Sequence, residues 1–227
     1  MRRSDPTRSL GILAAVVASG LLLAGCGGGG DDAAAPSSAV PDVDVPAKAL
    51  VQADLPAGFE LATVPNDTAF ESALQSVGQV QAATITPAGC KEKNVALQQE
   101  LVETIKFGVQ QTLSKDKSLG FGVTLLPASA RLSVFEAAGT GECAAIEYGG
   151  GALKQTTTRK DLPAGAAGAQ GFVFEFARTA NEKTARSASA YFTKNGVLAM
   201  VNANPGANGT YDAATFDDVV TRIAGKL

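Results

Sequence analysis

The dipeptide Asn195-Gly196 restricts the fold more than any other feature, because it lies between two segments that both have the composition of strands. A type I′ turn needs a positive φ at both central residues, and for that reason Asn followed by Gly is a strong hairpin signal. We therefore predict strands over 185–194 and 197–203. Before them, residues 172–176 alternate between phenylalanine and other residues, which predicts a further strand.

Residues 215–227 predict a C-terminal amphipathic helix. Thr215 stands three residues before Asp218, which is the spacing of a capping box, and basic residues occupy the last turn, where they complement the helix dipole. The apolar residues recur at helical spacing along one side: Phe216, Val219, Val220, Ile223 and Leu227. Because such a stripe needs a partner surface, we expect this helix to cover one face of a sheet.

The earlier elements complete an α+β pattern. A helix from Asn94 is predicted to run to about residue 108 or 113, although 107–113 could instead begin a hairpin that turns at 115–117. Further strands are predicted over 59–64, 80–86, 121–125, 144–148 and 153–159, and further helices from Thr68 to Gly78 and within 129–138. The expected fold is a twisted antiparallel meander packed by two to four helices.

The first 25 residues have the pattern of a secretory signal peptide. Three arginines precede an apolar run that is short for a membrane span and that ends in small residues. The ending Leu23-Ala24-Gly25-Cys26 resembles the bacterial lipobox, which implies cleavage before Cys26 and lipidation of its thiol with acyl chains such as palmitate. The alternatives are an ordinary signal cut nearby or an N-terminal anchor helix. The lipobox implies an extracytoplasmic protein on the outer face of the cell membrane.

Three regions follow from this pattern. Residues 1–25 are the predicted lipoprotein signal peptide, and residues 26–48, rich in Gly, Ala and Pro, are predicted to be a disordered linker. Residues 49–227 then form a single domain of ordinary size. If Cys26 is lipidated, Cys90 and Cys143 remain as an even pair in an oxidising compartment, which favours a disulfide over a metal or redox pair.

The composition excludes several classes of function. The absence of histidine excludes Ser-His-Asp and Cys-His catalysis and the usual histidine-containing zinc sites. Removal of residues 1–25 takes away three of the 19 basic residues and one of the 22 acidic ones, so the mature chain carries −5, which disfavours nucleic acid. Glycine runs at 27–30 and 149–151 lack the Gly-Lys-Ser/Thr of a phosphate loop. We expect no cofactor, no metal, no nucleic-acid partner and no catalytic activity.

Phe172, Phe174 and Phe176 share one face of their predicted strand. Aromatic residues with a period of two more often form a core than line a cavity. This row is nevertheless the only sequence support for an apolar cavity, so its three members are the candidate cavity-lining residues.

Short motifs connect the predicted domain with a known group. Asp54-Leu55-Pro56-Ala57-Gly58-Phe59 stands near the domain start, Pro87-Ala88-Gly89-Cys90 follows the second predicted strand, and Cys143 follows a short helix. With the closing meander and terminal helix, these resemble actinobacterial cell-envelope lipoproteins whose domain is similar to the extracellular sensor region of PknH-type receptor kinases. PsbP-like envelope lipoproteins have a similar sheet-and-helix composition and are a second group that the sequence resembles.

The resemblance implies an α+β ectodomain with a central antiparallel sheet and a ligand-binding cleft. It does not imply signalling, because the sequence contains no kinase domain, and it departs in having one cysteine pair where the kinase sensor regions have two disulfides. We expect a lipid-anchored, non-catalytic domain that binds a small molecule, a lipid or an envelope protein. The alternatives are a lipid or glycolipid carrier with an apolar cavity, and an envelope hydrolase, which would need two carboxylates in one cleft with separated pKa values.

Overall fold

The computed structural model of the protein describes residues 43–115 and 119–227, and within them the fold is α+β. The helices are α1 (Asn66–Ala82), α2 (Ala88–Ile105), α3 (Leu132–Ala137) and α4 (Ala213–Lys226). The strands are β1 (Glu60–Val64), β2 (Ile85–Thr86), β3 (Val109–Lys115), β4 (Leu119–Pro127), β5 (Ala145–Tyr148), β6 (Leu153–Lys160), β7 (Gln170–Ala180), β8 (Lys183–Lys194) and β9 (Val197–Ala203). These strands form one antiparallel sheet in the order β1-β3-β4-β9-β8-β7-β6-β5-β2.

The predicted antiparallel sheet with a C-terminal helix is confirmed, and its centre is the predicted hairpin. Asn195 and Gly196 have φ values of 47° and 80°, as the turn between β8 and β9 requires. The strand order is more than a meander, because β9 turns back beside β4 rather than ending at an edge. This return places the longest and most buried strands in the middle of the sheet.

The two faces of the sheet are covered by different helices. On the face that we call the α4 face, side chains of β4, β8 and β9 pack against α4 in a large apolar cluster. On the opposite face, which we call the α1–α3 face, side chains of β7, β8 and β9 pack against α1, α2 and α3 in a smaller, aromatic-rich cluster. A third cluster surrounds the disulfide at the β5 edge.

The domain includes residues that precede the predicted boundary at residue 49. Val45 is fully buried in the α4-face cluster, where Leu50 joins it. The backbone N–H of Leu50 donates to Oε1 of Gln111 at 2.8 Å, and Nε2 of Gln111 donates to the carbonyl of Leu50 at 3.1 Å. These contacts attach residues 43–50 to β3, so the last part of the predicted linker belongs to the domain. The predicted signal peptide, Cys26 and the remainder of the linker lie outside the described residues.

Several predicted boundaries were wrong. Gly78 does not end α1, because it lies on an open side of the helix with no neighbouring atom, where glycine costs only about 1 kcal/mol. The predicted strand over 80–86 is reduced to Ile85–Thr86, since the helix continues to residue 82. Residues 109–115 form β3, which decides the open question in favour of a hairpin. The N-cap of α4 is Asp212, whose Oδ1 accepts from the N–H of Thr215 at 3.0 Å.

Candidate ligand-binding cleft

The predicted phenylalanine row divides between the core and a cavity. All three rings extend from β7 toward the α1–α3 face, with centroids 4.7 Å apart for Phe172 and Phe174 and 6.0 Å apart for Phe174 and Phe176. Phe174 and Phe176 line a cavity, whereas Phe172 is packed against Tyr191 in the core, 5.5 Å between ring centroids. Two of the three candidate residues therefore line the cavity, whereas Phe172 is buried in the core.

This cavity, which we call the aromatic cleft, has a volume of about 240 Å³. Its floor is the sheet from β5 to β8, its roof is α2, and one wall is the end of α3. Gly139 permits that wall to approach, because a Cβ there would lie 2.5 Å from Cε2 of Phe174. The lining residues are Val80, Asn94, Leu97, Gln98, Phe135, Ala138, Gly139, Tyr148, Gln155, Phe174, Phe176, Arg178 and Tyr191.

Of the described residues that line the aromatic cleft, Arg178 alone carries a formal charge. Its Nε donates to Oε1 of Gln155 at 2.7 Å, and its guanidinium lies 5.4 Å from the ring centroid of Phe176. These two contacts fix the orientation of an otherwise exposed side chain at the mouth of the cleft. Among residues 43–115 and 119–227, Arg178 has no carboxylate partner within ion-pair distance, so its remaining N–H groups stay available to an anion.

Two tyrosines add neutral hydrogen-bonding groups. Burial raises the pKa of Tyr148 and of Tyr191 above the ordinary value near 10; a hydrogen bond with Ser189 opposes this effect at Tyr191, and the Arg178 charge opposes it at both. Both phenols are therefore protonated at neutral pH and can donate hydrogen bonds. Among the described residues, the polar groups that line the cleft are one guanidinium, two phenols and several side-chain amides, all of which can donate hydrogen bonds to an anion.

A disulfide fixes one end of the cleft roof. Cys90 in the first turn of α2 is bonded to Cys143, with Cα atoms 5.4 Å apart and a sequence separation of 53. Cys143 lies in a 3₁₀ turn before β5, so the bond ties α2 to the edge of the sheet, and Ile85 and Ile146 bury it. The predicted pairing is confirmed. Glu142 lies beside the two sulfur atoms, but they are bonded to each other and so offer no thiolate to a metal.

An ion pair between a buried carboxylate on α2 and an exposed arginine fixes the other side of this helix. The Glu100 carboxylate, only 4% exposed, accepts from Nη2 of Arg131 at 2.6 Å and from the N–H of the same residue at 2.8 Å. This pair joins α2 to the start of α3. Sequence patterning does not reveal it, because Glu100 belongs to a helix with many charged residues and only the fold shows which of them faces inward. Arg178, Tyr148 and Tyr191 are equally hidden, since they come from three separate strands.

A second, polar cleft of about 190 Å³ lies on the α4 face, and Lys160, Glu175, Tyr211 and Asp217 are part of its lining. Nζ of Lys160 lies 2.8 Å from Oε1 of Glu175, which also accepts from the Tyr211 hydroxyl at 2.5 Å. Desolvation would raise the pKa of Glu175, but these two hydrogen bonds lower it below 4.5 overall. Desolvation raises the pKa of Asp217, and the Glu175 charge adds to that effect while Lys160 opposes it.

The fold and the aromatic cleft define an antiparallel-sheet domain that is closed by apolar packing on one face and holds a cavity beneath helices on the other. No family model matches the chain, and no curated protein matches it significantly. Among solved structures, the chain is similar to an uncharacterised protein from Mycobacterium smegmatis described as the Rv0999 ortholog, with 12% sequence identity and a TM-score of 0.48. That match covers 83% of this chain and 98% of the other.

Within the described ranges, no helix combines the length and the apolar character that crossing a membrane requires.

Proposed function

We propose that this protein is a non-catalytic binding protein of the cell envelope, whose domain holds a small amphipathic anion in the aromatic cleft. One observation carries the proposal: Arg178, without a carboxylate partner in the described residues, stands at the mouth of a cavity walled by Phe174, Phe176 and two neutral tyrosines. An anion bound there gains a charge-assisted hydrogen bond, and its apolar part covers the aromatic rings.

The size of the cleft limits the ligand. Small-molecule sites usually have volumes of about 300–1,000 Å³, and the aromatic cleft, at about 240 Å³, lies just below that range. It accommodates a compact molecule or one end of a longer molecule. A carrier that encloses both acyl chains of a diacyl lipid would need a larger space, so the size favours a binding module over such a carrier.

Binding of 4-phenylbutanoate to the full chain tests the proposal, because this probe combines a carboxylate with one aromatic ring. We expect measurable binding by titration calorimetry, and a loss of at least about tenfold in Arg178→Gln, since a hydrogen bond to a charged group contributes about 1.5–3 kcal/mol. Arg186→Gln is the matched control: Arg186 lies on β8 opposite Ala177, so it belongs to the other face of the sheet.

The neutral analogue 4-phenyl-1-butanol separates charge from apolar contact. It should bind more weakly than the carboxylate to the wild type and equally to the wild type and Arg178→Gln. The proposal is wrong if the carboxylate does not bind, or if the Arg178 and Arg186 variants weaken it by the same factor.

An envelope hydrolase is the second candidate, and the polar cleft is the observation that favours it. Glu175 and Asp217 line one cavity, and their environments move their pKa values in opposite directions. However, the Glu175 carboxylate already pairs with Lys160 and accepts a hydrogen bond from Tyr211. These contacts indicate a structural role for Glu175 rather than attack on a substrate. Hydrolysis of nitrophenyl esters or glycosides that disappears in both Glu175→Gln and Asp217→Asn would establish this candidate in place of the binding protein.

The location is part of the same proposal. The lipobox-like Leu23-Ala24-Gly25-Cys26 supports a lipid anchor on Cys26 at the outer face of the cell membrane, and the short motifs at 54–59 and 87–90 support a likeness to actinobacterial sensor-type lipoproteins. At that location, a carboxylate on an envelope protein meets the same requirements of the cleft as a carboxylate on a free small molecule. Cys26→Ser should move the protein from the membrane fraction to the soluble fraction. A variant that still sediments with membranes would contradict the lipid anchor.

A further inference from the structure

A second cavity, which we call the hydroxyl pocket, lies on the same face as the aromatic cleft and has a volume of about 200 Å³. Its roof is formed by α1 and α2, and its floor by β3, β4 and β9. The lining residues are Ala69, Ser72, Ala73, Ser76, Gln98, Leu101, Ile105, Gln110, Thr124, Met200 and Asn202. No sequence pattern pointed to it, because its residues come from five separate elements.

The hydroxyl pocket and the aromatic cleft adjoin each other beneath α2. Gln98 lines both cavities, with Leu97 in the wall of one and Leu101 in the wall of the other. On the sheet, Tyr191 lines the aromatic cleft and its direct cross-strand partner Met200 lines the hydroxyl pocket. Within the part of the chain that the structure describes, Gln98 is the one lining residue that the two cavities share, and it stands between them.

The Gln98 side chain is free to turn aside. It is half-buried, and no hydrogen bond from its amide to another described residue holds it in place. Its flexible stem can adopt several staggered rotamers at little cost. The roof beside it is loosely held as well, because Ala69 is the only buried residue among the 17 of α1. Rotation of one side chain would join two cavities into one groove.

The two ends of this groove differ in chemistry. The aromatic cleft carries the positive charge of Arg178, whereas the described residues of the hydroxyl pocket are uncharged and supply several hydroxyl and amide groups. Thr124 is only 5% exposed, and Asn202 uses its Oδ1 to accept from Ser189 at 2.7 Å, which leaves its amide N–H groups for another acceptor. Such groups match an uncharged ligand end that carries a hydroxyl or an amide.

We propose that the two cavities form one binding groove, that the groove takes an elongated anion with an uncharged hydroxyl-bearing far end, and that Gln98 determines how long a ligand it accepts. This inference rests on the proposed function, since the anionic end is held at Arg178. Each cavity alone is smaller than the usual volume of a small-molecule site, about 300 Å³ or more, whereas both together fall inside the usual range.

The register of the sheet gives the length of this ligand. Phe174 on β7 pairs with Ser189 on β8, which pairs with Asn202 on β9, so Asn202 lies two strands away from Phe174. Arg178 is four residues further along β7 than Phe174. At about 4.8 Å between strands and about 3.4 Å per residue, the two backbones are about 17 Å apart. The probe 12-hydroxydodecanoate, about 15 Å long when extended, spans that distance with help from the two side chains.

Titration of the full chain with hydroxycarboxylates of increasing length tests the inference. We expect 12-hydroxydodecanoate to bind at least about tenfold more tightly than 6-hydroxyhexanoate, because additional methylene groups are buried beneath α2. Gln98→Phe fills the passage and should abolish this gain, measured as the ratio of the two hydroxycarboxylate affinities within the variant itself. Gln99→Phe, an exposed position one residue along the same helix, is the matched control and should retain the gain. Dodecanoate, which lacks the terminal hydroxyl, should bind more weakly than its hydroxylated analogue.

Three results would overturn the inference while leaving the proposed function intact, provided that the wild type binds 4-phenylbutanoate. One is an affinity that does not rise with chain length, and another is a gain that survives in Gln98→Phe. The third is tighter binding of dodecanoate than of its hydroxylated analogue, which would show that the far end of the groove prefers an apolar group. If no carboxylate binds the wild type, the proposed function itself fails.

Discussion

The two faces of the sheet are closed in different ways. The α4 face is sealed by a helix that buries five of its 14 residues, whereas α1 on the opposite face buries only Ala69 among 17. The α4 face carries the large apolar cluster, and the α1–α3 face carries two adjoining cavities. The same strands supply both faces, so the difference comes from the helices. We therefore expect the α4 face to contribute more to stability than the α1–α3 face, whose cavities leave space above the strands.

The sequences of the two helices explain this division. In α4, apolar residues such as Phe216, Val220 and Ile223 recur without interruption on one side. In α1, the residues that face the sheet are mostly Ala and Ser, which leave space above the strands, and Leu74 points away with 47% of its surface exposed. A helix of small residues cannot fill the volume above a sheet, and the remaining space becomes a cavity.

The largest expected effect comes from a truncation on the closed face. Phe192→Ala removes a fully buried ring from the α4-face cluster and should lower the free energy of unfolding by about 4 kcal/mol. The matched truncation on the open face, Phe70→Ala, removes a ring of α1 that is only partly buried and should lower it by clearly less, about 1–2 kcal/mol. Urea unfolding followed by circular dichroism measures both. Equal losses in the two variants would contradict the proposed division between the faces.

The disulfide should have the next largest effect. Replacement of Cys90 and Cys143 by alanine opens a link across 53 residues and should lower the free energy of unfolding by about 3 kcal/mol. Because the bond holds α2 against the β5 edge, the same variant should also bind 4-phenylbutanoate more weakly. Unfolding and titration of the variant beside the oxidised wild type separate the two effects. Unchanged binding in a folded variant would show that the bond does not shape the cleft.

The smallest expected effect is a pH dependence on the closed face. The pKa of Glu175 in the folded protein lies below 4.5, so its contribution to stability is fully present above that pH and is lost as the pH falls through the lowered pKa. Glu175→Gln should therefore be less stable than the wild type at neutral pH, and the difference should shrink in acid. Thermal unfolding from pH 7 to pH 3 measures this difference.

Asp217 supplies the control of opposite sign. Desolvation raises its pKa, so ionisation of Asp217 opposes folding above its ordinary value near 3.8. Asp217→Asn should consequently leave stability at neutral pH unchanged or raise it. A pH-independent offset in Glu175→Gln, or a loss in Asp217→Asn that matches it, would show that charge is not the cause.

Much of the sheet could be predicted from local patterns, because hairpins are short-range structures. Asn195-Gly196, the strands on either side of it and the stripe of α4 are all confirmed. The errors lie where tertiary packing overrides a local signal: the helix passes through Gly78, and β9 turns back to pair with β4. Neither the continuation of α1 through Gly78 nor the pairing of β9 with β4 can be predicted from the neighbouring residues alone.

The cleft could be predicted only in part. The phenylalanine row indicated the correct strand face, since period-two patterning is preserved in any sheet, and the cysteine pairing followed from the number of cysteines and the expected compartment. Arg178 and Gln98 could not be predicted, because their importance depends on which elements the fold brings opposite them. The lipidation of Cys26 stays a prediction.

Hydrogen exchange of the full chain, with and without saturating 4-phenylbutanoate, examines the division of the two faces directly. In the free protein, amides of α1 should exchange faster than those of α4, because few buried contacts oppose their opening. On binding, protection should increase in α2, the end of α3 and the Phe174–Arg178 part of β7, and stay constant in α4. Protection that increases in α4 and around Glu175 instead, or equal exchange in α1 and α4, would contradict the assignment of stability to one face and binding to the other.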